Sequence, residues 1–416
     1  MSRGIRIYDL AVVGAGPAGA HLASRAAKAG CKVLLLDHKA PWEKPCGGGI
    51  THKAWSRYAI LNHPDLPRHG VMCSLQLSPS NNFFVVDQGH PLYTVDRIDL
   101  SRVMLEQSIR DGAQHIPSAV DRVELWDSRV RLFTDNGRYA ADFVVGADGV
   151  HSTVRKSFLG PLSKDRVIYS VTRLYEGGPP DPTMIKVTPF PGYCWSFARA
   201  DSLSVGVGTF ERGRDVKGAL AGFVREFFPG RKPLGPARGA LLPYMSSIGS
   251  YTEKRTGDSW ALVGDAAGFC DTLTGEGIVY AMWSADLFAD AFLKGMPGHY
   301  ERAWRKAFGM HLITGSLAAK YVYTPARMDL FFSALTACES FRKPMMDYVW
   351  ELPSYHALFG RFLAAFPRGY MQWRSFRSSG ATLKPEQLGP FGHMADMVDF
   401  EFRPGRTAST FGNADS

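Results

Sequence analysis

The sequence predicts an α/β protein: a Rossmann-like dinucleotide-binding domain, an inserted mixed β-sheet domain and a helical C-terminal region. Three observations carry this reading. Residues 7–37 run strand, GxGxxG, helix, strand, acid, which is the order a dinucleotide fold requires. Residues 165–255 are rich in short apolar stretches of the length of strands. From about residue 297 to 377 the pattern turns helical and rich in Phe, Tyr, Trp and Met.

The opening unit explains its own spelling. Residues 7–13 have the length and composition of a buried strand, and Gly14-Ala15-Gly16-Pro17-Ala18-Gly19 follows at once. An Ala-rich segment to Lys28 reads as a helix, and a second apolar run over 32–36 ends in Asp37, about 20 residues beyond the glycines. Gly14 permits the tight turn, and Gly16 lets backbone N–H groups approach a pyrophosphate at the positive end of the helix. Gly19 lets helix and sheet pack closely, and Asp37 can accept hydrogen bonds from an adenosine ribose.

Composition bounds the rest. A chain of 416 residues has room for two or three domains, and 45% hydrophobic with 21% charged is ordinary for a globular protein. The six cysteines form no CxxC pair and no metal spacing, so a reducing compartment and no metal are expected. No signal segment is read ahead of the first strand, and no apolar run reaches the ~18 residues of a membrane span. A cytoplasmic location follows, with peripheral contact at the inner membrane face as its variant. The net charge of +9 suits either an anionic partner or a solvated basic surface, and nothing points to nucleic acid.

After Asp37 comes Pro45-Cys46-Gly47-Gly48-Gly49-Ile50. Three glycines in a row cost chain entropy, and they suggest a backbone passing close to a flat cofactor ring. Residues 83–86 and 92–95 read as short strands. A helix opens near residue 97 and runs through Arg110, with Asp99 or Ser101 placed to cap it. Arg97, just ahead of it, is either a cofactor contact or a surface ion-pair partner. Residues 112–145 alternate as strands with a turn at 135–137. The last of them runs into Gly146-Ala147-Asp148-Gly149, followed by a Ser/Thr-capped basic helix that suits a second approach to the pyrophosphate.

Farther on, Tyr193, Trp195 and Phe197 point to one side of a strand, as a substrate wall or as sheet core. Gly264-Asp265-Ala266-Ala267-Gly268 follows an apolar strand, and Thr274-Gly275-Glu276-Gly277-Ile278 opens a helix through Ala289 whose N-terminus favours an anionic group. Residues 342–377 carry six Lys/Arg against two Asp/Glu, which reads as a capping helical domain or as a lipid-touching segment.

The stretches GAGPAG, GADGVHSTVR and LVGDAAGFCDTLTGEGI together resemble the three FAD motifs of the aromatic-hydroxylase fold, in order and spacing. Within that group the chain is similar to the geranylgeranyl reductase family over roughly residues 5–290. The features that carry the similarity are Pro45-Cys46-Gly47-Gly48-Gly49, which is similar to the family's loop of the type PxxC followed by glycines, the YxWxF row, and GDAAG where hydroxylases have GDAAH. Ala198 replaces the family's proline after the aromatic row, Pro189 and Pro191 are out of register, and Thr272 stands where a proline usually sits. These departures touch the substrate wall rather than the FAD site.

The resemblance implies an FAD-binding domain over 1–70, 96–160 and 256–295. It places a substrate sheet over 71–95 and 161–255; the residue pattern itself reads 296–377 as a helical region and 378–416, with Gly, Pro and polar residues and little periodicity, as a poorly ordered tail. It implies FAD contacts at Gly14, Ala15, Gly16, Pro17, Ala18 and Gly19 on the pyrophosphate, and at Asp37 on the ribose. Cys46 and Gly47 would lie near the isoalloxazine, Arg97 near the ribityl-pyrophosphate region and Val120 near the adenine, with His38 and Asp148 as further cofactor contacts. Asp265, Gly277 and Ile278 would hold the ribityl chain and the pyrimidine end. The implied reaction is hydride transfer from reduced FAD to a prenyl double bond, completed by a proton. Cys46 and Tyr193 are the candidate donors, and Trp195 can stabilise transient positive charge. Cys46 reads alternatively as a small buried residue with no acid role. The substrate would be a hydrophobic small molecule or lipid, with or without a pyrophosphate, and the electron source NAD(P)H or a reduced protein. A flavin monooxygenase acting on an aromatic or polyketide-like substrate is the alternative. A non-catalytic prenyl binder, as in the related fold of Rab GDP-dissociation inhibitors, is a third.

Overall fold

The computed structural model describes residues 7–351, 354–379 and 391. In chain order the strands are β1 (Ile7–Val13), β2 (Val33–Leu36), β3 (Gly49–Ile50), β4 (Arg68–Leu77), β5 (Phe83–Val95), β6 (Gln114–Ile116), β7 (Val120–Trp126), β8 (Arg129–Thr134), β9 (Gly137–Gly146), β10 (Val167–Glu176), β11 (Met184–Val187), β12 (Gly192–Ala198), β13 (Ser202–Thr209), β14 (Arg238–Pro243) and β15 (Trp260–Leu262). The α-helices are α1 (Pro17–Lys28), α2 (His52–Arg57), α3 (Arg97–Arg110), α4 (Thr153–Leu159), α5 (Val216–Phe227), α6 (Ile248–Thr252), α7 (Gly264–Ala267), α8 (Ile278–Leu293), α9 (Tyr300–Trp304), α10 (Met310–Val322), α11 (Pro325–Ala337), α12 (Glu339–Glu351) and α13 (Tyr355–Ser378).

The first sheet has the order β6-β2-β1-β9-β8-β7, with β15 also pairing β9. Its central strands are parallel, with Leu10 opposite Val33 on one side and Phe143 on the other. A parallel strand covered on both faces must be apolar throughout, and β1 is buried from Leu10 to Val13. α1 and α8 pack together on this sheet, burying Leu22, Ala23, Ala26, Ala285 and Phe288 in one core. Each large side chain buried there contributes about 1.5–3 kcal/mol.

The second sheet has the order β14-β10-β13-β12-β11-β4-β5-β3 and is antiparallel except where β11 meets β4. Strand alternation divides its side chains. Leu75, Phe83, Met184, Cys194 and Leu203 pack with Phe223 and Phe227 of α5. Phe84, Val86 and Val187 meet Tyr323, Met328 and Phe332 from the region of α10 and α11. α10 and α11 therefore lie against the face opposite α5, while Phe376 near the end of α13 packs with the α5 side.

The α/β class, the inserted sheet and the helical region are as the sequence predicts. Several local expectations change. Residues 83–95 form one long strand, kept in pairing with β4 through a register shift between Val71 and Cys73. Asp96 occupies the N-cap of α3, Arg97 is its first residue, and neither Asp99 nor Ser101 caps it. Asp99 instead pairs with Arg102 at 3.1 Å in the first turn, and Ser101 Oγ accepts from the Trp42 amide. Within the strand-rich middle, α5 is a helix capped by Asp215 Oδ1, which accepts from the Gly218 amide. The tail expected from 378 onward lies outside the described residues, apart from Ser378, Ser379 and Phe391. All six cysteines are unpaired.

Candidate functional site

The turn between β1 and α1 has the geometry its glycines anticipate. Gly14 has φ +97°, and a Cβ there would stand 2.5 Å from the Ala147 carbonyl oxygen. A Cβ on Gly19 would stand 1.8 Å from the Gly14 oxygen, so Gly19 fixes the packing of helix on turn. Gly16 has open space at that point, and it is the N-cap of a helix with no acid in its first turn. An anion is favoured there. Asp37 Oδ2 accepts from the Ala15 amide at 2.7 Å, and Oδ1 accepts from the Lys39 and Ala40 amides. Of the roughly four lone-pair positions of a carboxylate, one on Oδ2 remains for a ligand hydroxyl.

At the end of β9, Asp148 Oδ2 accepts from the Thr153 amide at 2.6 Å, while its buried Oδ1 has no hydrogen-bond partner. Burial raises the Asp148 carboxyl above its usual range, against the opposing pull of Ser152 and the Thr153 amide. Ser152 caps α4 by accepting from the Arg155 amide.

The CGGG loop is held from below. The Cys46 carbonyl accepts from Arg199 Nη2 and from Ser204 Oγ, each at 3.0 Å. Arg199 is itself fully buried, with Nη1 on Asp96 at 2.5 Å and Glu43 at 3.0 Å. Gly48 has φ +84°, and a Cβ there would stand 2.4 Å from the Val95 oxygen. Cβ atoms on Gly47 and Gly49 would meet the Phe197 ring at 2.7 and 2.9 Å. The flat ring that demands small residues in this loop thus includes Phe197 of the protein itself. Cys46 Sγ accepts from the Gly48 amide at 3.4 Å. Burial opposes ionisation of the thiol, but Arg97, that amide and Lys44 outweigh it and bring its pKa below the usual thiol value. Arg97 is buried and its Nε has no hydrogen-bond partner.

β15 leads into α7, where Asp265 Oδ2 accepts from Lys44 Nζ at 2.7 Å. Gly277 is the N-cap of α8 and Ile278 its first residue. Glu276, just ahead of them, pairs with Lys53 at 2.7 Å and accepts from Thr51 Oγ1.

Opposite lies the aromatic row of β12. Tyr193 donates to the Thr274 carbonyl at 3.1 Å, and burial holds its phenol well above the usual pKa, so it stays protonated. The Trp195 ring rests on Gly206, where a Cβ would stand 2.1 Å away, and its Nε1 has no hydrogen-bond partner. Tyr323, at the end of α10, stacks on Tyr193 at 6.4 Å and donates to the Leu273 carbonyl at 2.7 Å.

One cavity of about 2210 Å³ joins these parts. It is about twice the upper size of an ordinary small-molecule pocket, room enough for two large occupants. One end is lined by Gly14, Gly16, Pro17, Ala18, Asp37 and His38, together with Val120 and Asp148. Its middle holds Cys46, Gly47, Arg97, Asp265, Gly277 and Ile278, with Tyr193 and Trp195. The far end is apolar, with Phe84, Val86 and Ile185 from the sheet and Met328, Phe331 and Phe332 from the helices. Ala15 and Gly19 are not in the lining; they act through Asp37 and Gly14. The residues present fit FAD. Arg97 Nε, Trp195 Nε1 and Asp148 Oδ1 are buried without partners, and two helix N-termini face the same cavity.

Sequence reading missed Arg199, Lys44 and Glu276, and all the helix side chains of the far end. Arg199 occupies the position next to Ala198, where the row was read only for its aromatics.

A family model described as "Lycopene cyclase protein" matches residues 9–165. A chloroplastic geranylgeranyl diphosphate reductase of Nicotiana tabacum is 28% identical over 332 residues, covering 70% of this chain and 67% of that protein. A menaquinone reductase of Mycolicibacterium smegmatis is 28% identical over 351 residues, covering 75% and 83%. The crystal structure of a geranylgeranyl bacteriochlorophyll reductase-like protein from Thermoplasma acidophilum superimposes with a TM-score of 0.70 at 19% identity, over 89% of this chain and 100% of that one. These findings bear out the resemblance to geranylgeranyl reductases and make the chain an FAD-dependent oxidoreductase. Among the described residues no helix is long and apolar enough to cross a membrane.

Proposed function

We propose that this geranylgeranyl reductase-like FAD-dependent oxidoreductase saturates carbon–carbon double bonds of a prenyl chain. The observation that carries the reading is the single cavity, running from the dinucleotide cradle past Cys46 and Trp195 into an apolar end of Phe, Met, Val and Ile side chains. A long unsaturated hydrocarbon is the ligand such an end suits, and the relatives named above act, by their names, on a geranylgeranyl compound and on a quinone.

Reduced FAD, held by the residues of the cradle, would supply the hydride. Everything else falls to the chain. An isolated alkene has no carbonyl to take up charge, so the carbon that does not receive hydride needs a proton in a dry pocket. Cys46 and Tyr193, both in the cavity lining, are the candidate donors of that proton. Trp195 offers a ring face to transient positive charge. Arg199 and Ser204 hold the Cys46 carbonyl and so fix the backbone that carries the thiol. Gly14–Gly19, Asp37 with His38, Arg97, Val120, Asp148, Asp265, Gly277 and Ile278 would bind the cofactor. The electron source would be NAD(P)H or a reduced protein donor.

The test is anaerobic. The purified flavoprotein is reduced with dithionite and given geranylgeranyl pyrophosphate, then lipid-linked prenyl substrates. Flavin reoxidation without oxygen, with a product heavier by hydrogen in the mass spectrum, is the expected result. Flavin that stays reduced with every prenyl substrate until air is admitted would replace this reading with the monooxygenase.

A further inference from the structure

α13 buries Tyr355 and Leu358 and leaves Phe359, Leu363, Phe366 and Tyr370 exposed, Leu363 by 75% and Phe366 by 56%. Their spacing of four, three and four puts them in one stripe of the helix. The Phe366 and Tyr370 rings stack at 5.9 Å along it. These four residues also line the cavity, together with the exposed Tyr321 and Leu330. The apolar end therefore opens to the outside through a rim built by α10, α11 and α13. Scattered exposed apolar residues need no explanation, whereas a continuous stripe at the mouth of an apolar cavity does.

Charge says what covers it. Over its 24 residues α13 carries four arginines (361, 368, 374 and 377) and no Asp or Glu. Arg361 pairs with Asp347 of α12 at 3.1 Å, while no ion pair joins Arg368 or Arg374 to another described residue. Arg327 lines the mouth at the start of α11. A second copy related by a two-fold axis would set these arginines against their own kind. Anionic headgroups above an acyl layer match both features at once.

We propose that this rim docks on the surface of an anionic bilayer. Phe359, Leu363, Phe366 and Tyr370 sit at the boundary of headgroups and acyl chains, Arg374, one turn beyond Tyr370 on the same side, and Arg327 meet lipid phosphates, and an apolar substrate enters the cavity from the lipid without crossing water. Docking goes beyond the proposed reaction and needs no substrate.

The test uses the full-length flavoprotein and sedimentation with vesicles. Binding is expected to phosphatidylcholine vesicles doped with phosphatidylglycerol, and much less to phosphatidylcholine alone. It should weaken as salt shortens the Debye length from about 10 Å at 0.1 M to about 3 Å at 1 M. L363E/F366E should lower partitioning at least tenfold, roughly the loss of one buried apolar side chain, with flavin content and melting temperature unchanged because both positions are exposed. R327Q/R374Q should lower it by roughly fivefold per arginine and remove the preference for anionic lipid. No binding to anionic vesicles at low salt, or equal binding by wild type and L363E/F366E, would overturn the proposal. So would a dimer in solution that the same substitutions dissolve. A protein that binds vesicles yet leaves prenyl chains unsaturated would sink only the reductase reading.

Discussion

The hydroxyl of Tyr355 lies 2.9 Å from each carboxylate oxygen of Asp271. Asp271 is fully buried in the loop that follows the GDAAG turn, and Tyr355 is the first residue of α13. His311 of α10 joins them, with Nε2 3.0 Å from Asp271 and its ring stacked on Tyr355 at 4.2 Å. Asp271 also accepts from the Leu273 amide at 2.8 Å. One carboxylate therefore ties the loop beside Tyr193 to two helices of the cavity mouth.

Burial works against the charge on Asp271, but His311, Lys53 and Tyr355 outweigh it and hold the carboxyl below its usual pKa. A depressed folded pKa gives stability that is fully present above the unfolded value of about 3.9 and is lost as pH falls through the folded one. Asp271→Asn should therefore be less stable than wild type at neutral pH, with the gap closing below about pH 4. Tyr355→Phe should cost about 1.5–3 kcal/mol, as for a hydrogen bond to a charged group. Urea titrations across that pH range check both, and a gap that is constant with pH would mean that Asp271 is not the ionised anchor.

A second, half-buried carboxylate holds a cluster of arginines. Glu253 lies 2.6 Å from Arg155, 3.1 Å from Arg166 and 3.0 Å from Arg255, three guanidiniums that are all buried. They come from α4, β10 with its lead-in, and the segment ahead of β15, so the cluster joins the two sheets behind the cofactor cradle. Removing one partner of a buried ion pair strands the other's charge at a cost of about 3–5 kcal/mol. With its side chain 23% exposed, Glu253→Gln belongs at the lower end of that range. Denaturant unfolding of the variant with FAD bound measures it, and a loss under about 1 kcal/mol would assign the site the weak energetics of a surface pair.

Much of the cradle was legible because its signals are local. β1, the glycine turn, α1 and Asp37 sit within one short stretch, and periods of 2 and 3.6 residues report them directly. The Ser152 cap and the shared side of Tyr193, Trp195 and Phe197 are local in the same way. α5 was legible too, from Asp215 and the helical spacing of Ala219, Leu220, Phe223 and Phe227, but it lies between strands and was read with them. Long-range polar clusters left no such trace. Arg199 finds Glu43 and Asp96, and Asp271 finds Tyr355, across separations that only the folded chain closes. The far wall of the cavity has the same origin, since any Phe-rich helix buries its rings somewhere and only the packing decides where.

The seat of Trp195 gives a test of the aromatic wall that leaves the glycine turn and Asp37 untouched. A Cβ on Gly206 would stand 2.1 Å from the indole, and β13 has no freedom to retreat between β10 and β12. Gly206→Ala should push the ring into the cavity, costing about 1–3 kcal/mol of overpacking. Flavin content should be retained and KM for a prenyl substrate should rise. Trp195→Phe in the same chain removes part of the ring and should restore part of both losses. Strictly additive effects of the two substitutions would show that the indole does not rest on Gly206.

Cys46 and Tyr193 can be told apart as proton donors by the sign of the pH response. The Cys46 thiol, with Arg97 and Lys44 beside it, releases its proton more readily than an ordinary cysteine, whereas Tyr193 holds its proton well beyond neutral pH and already donates it to Thr274. Burial pushes Cys194 up to about 12 and raises Cys270 as well. In the apoprotein, iodoacetamide should therefore label Cys46 first, with a midpoint below the free-thiol value of about 8.5, and Arg97→Gln should move that midpoint upward. If Cys46 is the donor, single-turnover reduction should fall as pH rises through the same midpoint, because the thiolate has no proton to give. Cys46→Ala should then cost about 10²–10⁴-fold in rate while the flavin stays bound. If Tyr193 is the donor, the rate should stay flat through that midpoint and Tyr193→Phe should carry the loss. A labelling midpoint at or above about 8.5 would remove the electrostatic basis for Cys46.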